Sequence, residues 1–367
     1  MTFKIISVVG ARPNFIKIAP LDREFQKHPE IEHIICHTGQ HFDKNMSEIF
    51  FEQLGISKPA YNLGISGGSH ASQVAEILTS FEKVLIAENP DLIVVPGDVN
   101  STLAAALTAS KLGIPVAHIE SGLRSFDRNM PEEINRLLTD QLADLLFVTE
   151  KSGLVNLKHE GVDDSKVFFT GNIMIDSLVY QNKLISNSEI LKQYKLEKGN
   201  YAVATFHRPS NVDDVKSLQA LVLFLNKVSS KIKLVLPLHP RTKSRLEAFD
   251  LLEQLSNQIT LTEPLSYLNF LSLVEKAKLV ITDSGGIQEE TTFLGVPCIT
   301  VRNNTERPVT VDIGTNMLAG TNFDNVWDAF VNLLNNKNIK GQIPELWDGK
   351  TAERIYSHII HFLKNRA

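Results

Sequence analysis

The sequence has little cysteine, no excess of positive charge and no long apolar segment. Its two cysteines, Cys36 and Cys298, each stand alone in an apolar run, which argues against a disulfide framework and a cysteine-based metal site. No stretch approaches the roughly 18 consecutive apolar residues of a membrane-spanning helix. The formal net charge of −5 provides no basic field that would attract nucleic acid or anionic lipid. We therefore expect neither nucleic acid nor a membrane among the partners.

The first residues also lack the features of a secretory leader. A short apolar run ends at Arg12 and Pro13, where a signal peptide needs more apolar length and a cleavage site of small residues. We therefore expect a cytoplasmic protein. Apolar residues make up 43% and charged residues 22% of the chain, both typical of globular proteins, so the whole chain should fold. At roughly 150 residues a domain, the chain length of 367 predicts two domains.

Short β-rich runs alternate with amphipathic helical segments, a pattern typical of parallel strands joined by helical crossovers. In the first half we predict strands at 4–10, 33–38, 91–97, 115–121, 144–149 and 166–171. In the second half we predict strands at 201–206, 233–238, 258–262, 279–282 and 297–301. The fold class is therefore α/β, with two doubly wound Rossmann-like domains that face each other across a cleft.

The domain boundary is predicted at Gly171-Asn172, where a strand ends and a helix begins without a linker. The last segment, 350–367, is predicted to be an amphipathic helix that packs on the first domain. Its predicted apolar side comprises Ile355, Ile359, Ile360 and Phe362. The first domain is thus expected to comprise 1–171 plus 352–367, and the second 172–351.

In open α/β sheets, ligands bind beyond the carboxyl ends of the strands, so the polar residues that follow a strand are site candidates. The motif TDSGGIQEE (282–290) follows a strand, and Gly285 and Gly286 let a ligand approach the N–H groups of the next helix. Together with Ser284 they predict a phosphate site, and Glu290 is placed to accept hydrogen bonds from ribose hydroxyls. The alternative is a tight strand-to-helix connection without a ligand.

Cations follow the first strand as well. GARPNFIK (10–17) places Arg12 and Lys17 close together, an arrangement that suits a diphosphate. The alternative is a pair of solvated charges on an exposed helix. Farther along, Arg136 stands four residues after Glu132, and such i,i+4 pairs usually support a helix surface.

Three carboxylates, Asp98, Glu120 and Glu132, lie at or beyond strand ends of the first domain. Carboxylates near an anionic ligand need compensating cations, and the candidates are Arg12, Lys17, Arg124 and Arg136. This mixture predicts general acid and base chemistry beside a phosphate leaving group. Individually, Asp98 could instead cap the following helix, and Glu120 could form an ion pair with Arg124.

His207 and His239 also follow apolar strands, but their spacing matches no metal site, so we expect ligand contacts and no metal ion. Gln40 and His41 follow another strand and are candidates for the same cleft. No GxGxxG fingerprint follows the first strand and no GxxxxGK(S/T) motif occurs, so neither tightly bound NAD nor ATP has motif support.

Taken in order, the motifs make the sequence similar to the non-hydrolysing UDP-N-acetylglucosamine 2-epimerases, which share the two-domain fold of GT-B glycosyltransferases. The resemblance covers nearly the whole chain. Its most specific segments are GARPNFIKIAPL, TGQH, GDVNSTLAAAL, HIESGLRSFDRNMPEEINR, TGNIMIDSL, HRPSN and DSGGIQEETTFLGVPCITVRNNTERP.

The resemblance implies roles for individual residues. Those that would hold the diphosphate are Arg12, Lys17, Arg136, Ser284, Gly285 and Gly286, with Glu290 on the ribose. Positions matching those assigned to the chemistry around the sugar are Asp98, Glu120, Glu132 and His207. Further substrate-pocket positions are matched by His239, Phe270 and Arg307.

The implied reaction is the C2 epimerisation of UDP-N-acetylglucosamine, by elimination of UDP to 2-acetamidoglucal and its re-addition. It needs no redox cofactor and would supply cell-surface polysaccharide synthesis. We also expect a homodimer. Members of the family often contain GTRPE, EAGLR and HRRE, so Asn14, Ser121 and Pro209 mark a subgroup.

Three alternatives stay open. The chain could act on a UDP-2,3-diacetamido uronic acid, or it could be a hydrolysing 2-epimerase that releases free N-acetylmannosamine. From a different class, the fold also suits a GT-B glycosyltransferase, although the carboxylates of the first domain argue against it.

Overall fold

The computed structural model describes residues 2–39, 51, 54–186, 188–335 and 341–366. The chain divides into two compact units, one of Met1–Val179 with Glu345–Ala367 and one of Tyr180–Pro344. The predicted boundary at 171/172 lies just before a helix, Ile173–Ser186, that continues through this division. Each unit contains one parallel sheet, which confirms the predicted α/β class with two doubly wound domains.

The first unit contains a seven-stranded parallel sheet in the order β3-β2-β1-β4-β5-β6-β7. Its strands are β1 (Phe3–Val9), β2 (Ile31–His37), β3 (Tyr61–Asn62), β4 (Leu92–Pro96), β5 (Val116–Ser121), β6 (Leu145–Val148) and β7 (Val167–Phe169). Its helices are α1 (Arg12–Phe25), α2 (His70–Glu88), α3 (Asn100–Lys111), α4 (Pro131–Leu142), α5 (Lys151–His159), α6 (Ile173–Ser186) and the C-terminal α15 (Thr351–Arg366). The strand order reverses between β1 and β4, so the sheet is doubly wound.

The second unit contains a six-stranded parallel sheet in the order β10-β9-β8-β11-β12-β13. Its strands are β8 (Tyr201–Thr205), β9 (Lys233–Pro237), β10 (Ile259–Thr262), β11 (Leu279–Thr282), β12 (Cys298–Thr300) and β13 (Asn316–Leu318). Its helices are α7 (Ile190–Gln193), α8 (Pro209–Val212), α9 (Val215–Ser229), α10 (Pro240–Ala248), α11 (Tyr267–Lys276), α12 (Gly285–Leu294), α13 (Val309–Asp312) and α14 (Phe323–Asn335). None of the helices in the described ranges is long and apolar enough to span a bilayer.

Both faces of each sheet are buried. Neighbouring residues of a strand point to opposite faces, and Ile93 and Val94 of β4 are both inaccessible to solvent. In the second unit, Val203 and Ala204 of β8 belong to different apolar clusters, one on each face. Helices therefore cover both faces, as the nearly all-apolar strand sequences predict.

Two edge strands, β3 and β13, were not predicted. Each is two or three residues long and pairs on one side only, β3 with β2 and β13 with β12. Neither segment contains a run of β-branched or aromatic residues, and asparagines and glycines beside them favour turns. Backbone pairing with an existing strand, which the local sequence does not encode, places them in the sheets.

The C-terminal helix packs against α1 of the first unit. Its buried apolar residues are Ala352, Ile355, Ile359 and Leu363, whereas Ile360 and Phe362 are only partly buried. The prediction is therefore confirmed at Ile355 and Ile359, whereas Ala352 and Leu363 are buried in place of Ile360 and Phe362. Tyr356 stacks on His28 with ring centroids 3.7 Å apart and donates a hydrogen bond to Glu30 over 2.8 Å.

Backbone geometry at Gly171 ties the end of β7 to the segment before the C-terminal helix. Gly171 has φ +89°, and a β-carbon there would collide with the carbonyl oxygen of Leu346. Gly161 has φ +74° but no atom within 4 Å of such a β-carbon. Both glycines therefore have a left-handed backbone, but only Gly161 has space for a β-carbon.

We expect Gly171→Ala to cost about 3 kcal/mol or more, because strain and collision add, and Gly161→Ala only about 1 kcal/mol from strain alone. Thermal unfolding of the two variants beside the wild type measures the difference. Equal destabilisation by both substitutions would contradict the close packing of Gly171 on Leu346.

Candidate active site

The carboxyl ends of β1, β4 and β5 bring Lys17, Gly97 and Glu120 together in the first unit. The Lys17 ammonium, on the second turn of α1, forms an ion pair with the Glu120 carboxylate, and both side chains are buried. Gly97 follows β4 with φ +68°, and a β-carbon there would lie 2.8 Å from Lys17 Nζ and 3.6 Å from Glu120 Oε2. The absence of a side chain at Gly97 therefore leaves room for the ion pair.

Asn14 fixes the loop that contains Arg12. Its Oδ1 accepts hydrogen bonds from the amides of Gly10 and Ala11 over 3.1 and 2.9 Å, and its Nδ2 donates to the Pro96 carbonyl over 3.0 Å. The loop after β1 is thereby attached to the end of β4. Arg12 itself is half-buried, and burial lowers the pKa of its guanidinium.

Glu120 has an unusual backbone conformation for a glutamate. Its φ is +73°, and the pairing of β5 with β6 shifts register between Ile119 and Ser121. A left-handed conformation costs a side-chain-bearing residue about 1–2 kcal/mol, and such strain clusters at functional sites. The expected alternative, an ion pair of Glu120 with Arg124, is wrong, because the Arg124 guanidinium binds Asp140 and Glu160 instead.

Asp98 lies beside Arg136. The Arg136 Nε donates to Asp98 Oδ2 over 3.0 Å, and the same guanidinium pairs with Glu133. The predicted pair of Arg136 with Glu132 is therefore wrong, since the i,i+3 residue faces the arginine and Glu132 lies partly exposed on the same turn of α4. The alternative role of Asp98 as a helix cap stays a prediction, and the residue at the cap position of α3 is Val99.

Glu133 closes the loop between β5 and α4. Its carboxylate accepts hydrogen bonds of 2.9 Å from the Ser125 amide, the Ser125 hydroxyl and the Phe126 amide. One buried carboxylate thus fixes both this loop and the arginine that contacts Asp98. The sequence offers no signal that distinguishes Glu133 from its neighbour Glu132.

In the second unit, Asp283 ties the loop after β8 to the end of β11. It accepts hydrogen bonds from the His207 amide, the Arg208 amide over 2.9 Å and Asn211 Nδ2 over 3.0 Å, and it lies 2.9 Å from His207 Nδ1. Burial by itself would raise the pKa of Asp283, but His207 and the other donors outweigh it and hold that pKa below its ordinary value. Asp283 was not predicted, although it directly follows a buried strand.

The rings of His207 and His239 lie close together, with centroids 5.3 Å apart. His239 caps α10, and its Nδ1 accepts a hydrogen bond from the Arg241 amide over 3.2 Å. His207 is partly exposed at the same edge of the sheet. Within the described residues, no group of three or more histidine, cysteine or acidic side chains has the geometry of a metal site.

Helix α12 begins at the glycine-rich motif. Ser284 is its cap residue, and Ser284, Gly285 and Gly286 are all partly exposed. The Ser284 amide donates to the Thr282 hydroxyl over 3.0 Å. A β-carbon at Gly285 would lie 2.7 Å from Glu306 Oε1 and 3.0 Å from Arg307 Nη1. Arg307 therefore packs against the first turn of α12, in ion pairs with Glu289 at 2.9 Å and Glu306 at 2.6 Å.

Glu290 lies one turn farther along α12 and is buried. Its Oε1 accepts a hydrogen bond of 3.0 Å from the Tyr267 hydroxyl of α11. Burial, opposed by the Tyr267 hydrogen bond and reinforced by the neighbouring Glu289, raises the pKa of Glu290 to about 8. Phe270, on the same helix as Tyr267, packs partly buried against the apolar cluster that includes Ile287.

The structure thus brings the predicted residues into two groups, one in each unit. The first comprises Lys17, Glu120, Asp98 and Arg136, and the second comprises His207, His239, Ser284, Gly285, Arg307 and Glu290. Gln40 and His41 lie outside the described residues. Among the residues that organise these groups, Asn14, Glu133, Asp140 and Asp283 were not predicted.

Comparison with known proteins adds an independent line of observation. Residues 23–360 match a family model described as UDP-N-acetylglucosamine 2-epimerase. A UDP-N-acetylglucosamine 2-epimerase of Methanocaldococcus jannaschii is 43% identical over 359 residues, 96% of this chain and 97% of that protein. A UDP-2,3-diacetamido-2,3-dideoxy-D-glucuronate 2-epimerase of Pseudomonas aeruginosa is 43% identical over 330 residues, 89% of this chain and 91% of that protein.

Among solved structures, the crystal structure of the M. jannaschii UDP-GlcNAc 2-epimerase in complex with UDP-GlcNAc and UDP superposes with a TM-score of 0.90. It is 42% identical in sequence and covers 98% of this chain and 99% of that chain.

The raised pKa of Glu290 has a measurable effect on stability. Below about pH 4.5 the carboxyl group is protonated in both the folded and the unfolded chain. Between about pH 4.5 and about pH 8 only the unfolded chain ionises, so the stability that the protonated group contributes is lost as the pH rises. We expect wild type to lose a few kcal/mol relative to Glu290→Gln over this interval, measured by denaturant unfolding at each pH. A constant difference between the two proteins would contradict the raised pKa.

Proposed function

Because the chain belongs to the UDP-N-acetylglucosamine 2-epimerase family, as its motifs predicted, and is therefore an isomerase, we propose that it interconverts UDP-N-acetylglucosamine and UDP-N-acetylmannosamine. The observation that carries the proposal is the pairing of acids with cations in the first unit, Glu120 with Lys17 and Asp98 with Arg136. The M. jannaschii UDP-N-acetylglucosamine 2-epimerase, which is 43% identical to this chain, supports the choice of substrate.

The proposed reaction begins with removal of the proton on C2 of the sugar. Its electron pair forms the C1–C2 double bond of 2-acetamidoglucal, and the bond from C1 to the diphosphate oxygen breaks, so UDP leaves with its electron pair. UDP then adds back to C1 while C2 receives a proton on the opposite face. The reverse sequence regenerates the substrate, so the reaction is reversible.

This chemistry needs a positioned base and fixed cations. The C2 proton is weakly acidic, so its removal depends on a base held in one geometry. We propose that Asp98, Glu120, Glu132 and His207 perform the proton transfers, and the two faces of the sugar need different groups. A carboxylate beside an anionic leaving group repels it, and contacts such as those of Lys17 and Arg136 offset that repulsion.

The nucleotide is proposed to bind through backbone and cationic groups. Ser284, Gly285 and Gly286, which are partly exposed at the start of α12, suit the diphosphate because a helix N-terminus favours an anion. Arg12, Lys17 and Arg136 are the proposed cations. Glu290 is the proposed ribose contact, and further substrate contacts are proposed for His239, Phe270 and Arg307.

A second substrate is favoured by one observation. The P. aeruginosa protein is also 43% identical, and its name gives a UDP-2,3-diacetamido uronic acid as the substrate of its 2-epimerase activity. That sugar carries a carboxylate on C5 and a second acetamido group, so the two candidates differ away from the reacting C2. Parallel incubation with each nucleotide sugar distinguishes them by the ratio of kcat/KM.

Incubation in D₂O tests the reaction itself. Because the protons removed and returned exchange with solvent, we expect deuterium at C2 of both UDP-N-acetylglucosamine and UDP-N-acetylmannosamine, detected by ¹H NMR and mass spectrometry. Epimerisation without deuterium at C2 would rule out this mechanism. Release of free N-acetylmannosamine would identify a hydrolysing enzyme, and consumption of substrate only with an added acceptor would identify a glycosyltransferase.

The substitution Glu120→Gln tests the proposed base. The amide has nearly the same shape as the carboxylate but cannot take up a proton, so we expect kcat to fall by about 10³-fold. UDP binding, measured by calorimetry, should stay within about threefold of wild type, since the reacting group is removed and the nucleotide contacts remain. Glu82→Gln, at an exposed position of α2, serves as the matched control and should behave like wild type. Retained turnover in Glu120→Gln would exclude Glu120 as a base.

A further inference from the structure

His118 of β5 is fully buried and lies two residues before Glu120 in the sequence. Its Nδ1 lies 2.6 Å from Asp140 Oδ1, and its Nε2 lies 2.8 Å from the carbonyl oxygen of Gly97. A carbonyl oxygen can only accept a hydrogen bond. Nε2–H therefore donates to Gly97, and Nδ1 contacts the Asp140 carboxylate, so the ring is held between α4 and the end of β4.

Asp140 is a carboxylate because of its surroundings. Burial alone would raise its pKa, but the charges and hydrogen bonds of His118 and Arg124 outweigh burial and hold that pKa below its ordinary value. Arg124 also donates to Glu160 over 2.8 and 2.6 Å. His118, Asp140 and Arg124 are buried and Glu160 is partly exposed, so removing one member of this network leaves a buried charge without a partner.

Residues on both sides of Glu120 in the sequence form hydrogen bonds with Asp140. His118, two residues before it, binds Asp140 Oδ1, and the amide of Gly122, two residues after it, donates to Asp140 Oδ2 over 3.0 Å. The hydroxyl of Ser121 donates to the His118 carbonyl over 2.8 Å. These anchors hold the left-handed backbone of Glu120, since the residues on either side are fixed to the same carboxylate.

The second ring nitrogen of His118, Nε2, connects β5, the strand that bears Glu120, to the end of β4. Gly97 accepts from His118 Nε2, and its own amide donates to the Ile119 carbonyl over 3.0 Å. Gly97 also lies beside the pair of Lys17 with Glu120, and Asp98 follows it directly. The distance between the two strand ends that bear Asp98 and Glu120 is therefore set through His118.

We propose that His118, held by Asp140, is a positioning residue that fixes the Glu120 carboxylate for proton transfer at C2. The proposal rests on the proposed function. It assigns His118 no contact with substrate. Its effect comes from the backbone of Glu120 and Gly97, so it should appear in the chemical step and leave the nucleotide contacts of the second unit intact.

The chain contains a matched control for a buried histidine bound to an aspartate. His33 Nδ1 lies 2.7 Å from Asp22 Oδ1, and its Nε2 lies 2.8 Å from the Ser7 hydroxyl. His33 is on β2 near the start of the strand and contacts neither Glu120 nor Gly97 in these hydrogen bonds. His33→Gln therefore removes a comparable pair of hydrogen bonds away from the strand ends.

We expect His118→Gln to lower kcat by about 100-fold or more, because a base displaced by about 1 Å loses that much rate. The UDP dissociation constant should stay within about threefold, and the rate of C2 deuterium incorporation should fall in parallel with kcat. His33→Gln should lower the unfolding temperature but keep kcat within about twofold. A kcat of His118→Gln within about threefold of wild type, or an equal loss in His33→Gln, would overturn the proposal.

A second variant tests the same contact from its other side. Asp140→Asn removes the charge that holds His118 and leaves the ring in place, so kcat should again fall while the UDP dissociation constant stays within about threefold. An Asp140→Asn kcat within about threefold of wild type would overturn the proposal even if His118→Gln failed to fold. Failure of the proposed function would show differently, as a wild type that incorporates no deuterium at C2.

Discussion

A carboxylate removed from water must gather hydrogen bonds or cations, because an isolated buried charge is costly. This requirement organises the loops that follow the strands in both units. In the first unit, Asp140 forms hydrogen bonds with His118, the Gly122 amide and Arg124. In the second unit, Asp283 accepts hydrogen bonds from the amides of His207 and Arg208. In each case, groups from separate segments meet on one carboxylate, so the residues that face outward from the loops are held in place.

The alternation of apolar runs with helical segments was enough to predict the α/β class and the positions of the main strands along the chain. A strand buried on both faces consists almost entirely of apolar residues, so a central strand such as β4 is visible in the sequence. Edge strands are different, because β3 and β13 are placed by backbone hydrogen bonds that any residue except proline can make. The helix α15 was found, but its buried side depends on the neighbour against which it packs, which is α1.

The candidate site was predicted less completely, for a physical reason. Asp98 and Asp283 both follow apolar strands, but one is partly exposed beside Arg136 and the other is buried in its loop. Chain position cannot separate these cases, since the distinction depends on where donors from other segments arrive. Glu132 and Glu133 show the same limit within one helix turn. The 100° between neighbouring helical residues directs Glu133 toward the loop, and the geometry of that loop is a tertiary property.

Three of the residues that distinguish this chain from common family patterns, Asn14, Ser121 and Pro209, act on backbone geometry. Asn14 accepts from the Gly10 and Ala11 amides and donates to the Pro96 carbonyl, which a glutamate could not do. Ser121 donates to the His118 carbonyl, a bond that alanine lacks. Pro209 begins the short helix α8, where its fixed φ suits the first turn. None of these contacts involves a group proposed to react, so the three residues affect how the strand-end loops of this chain are held.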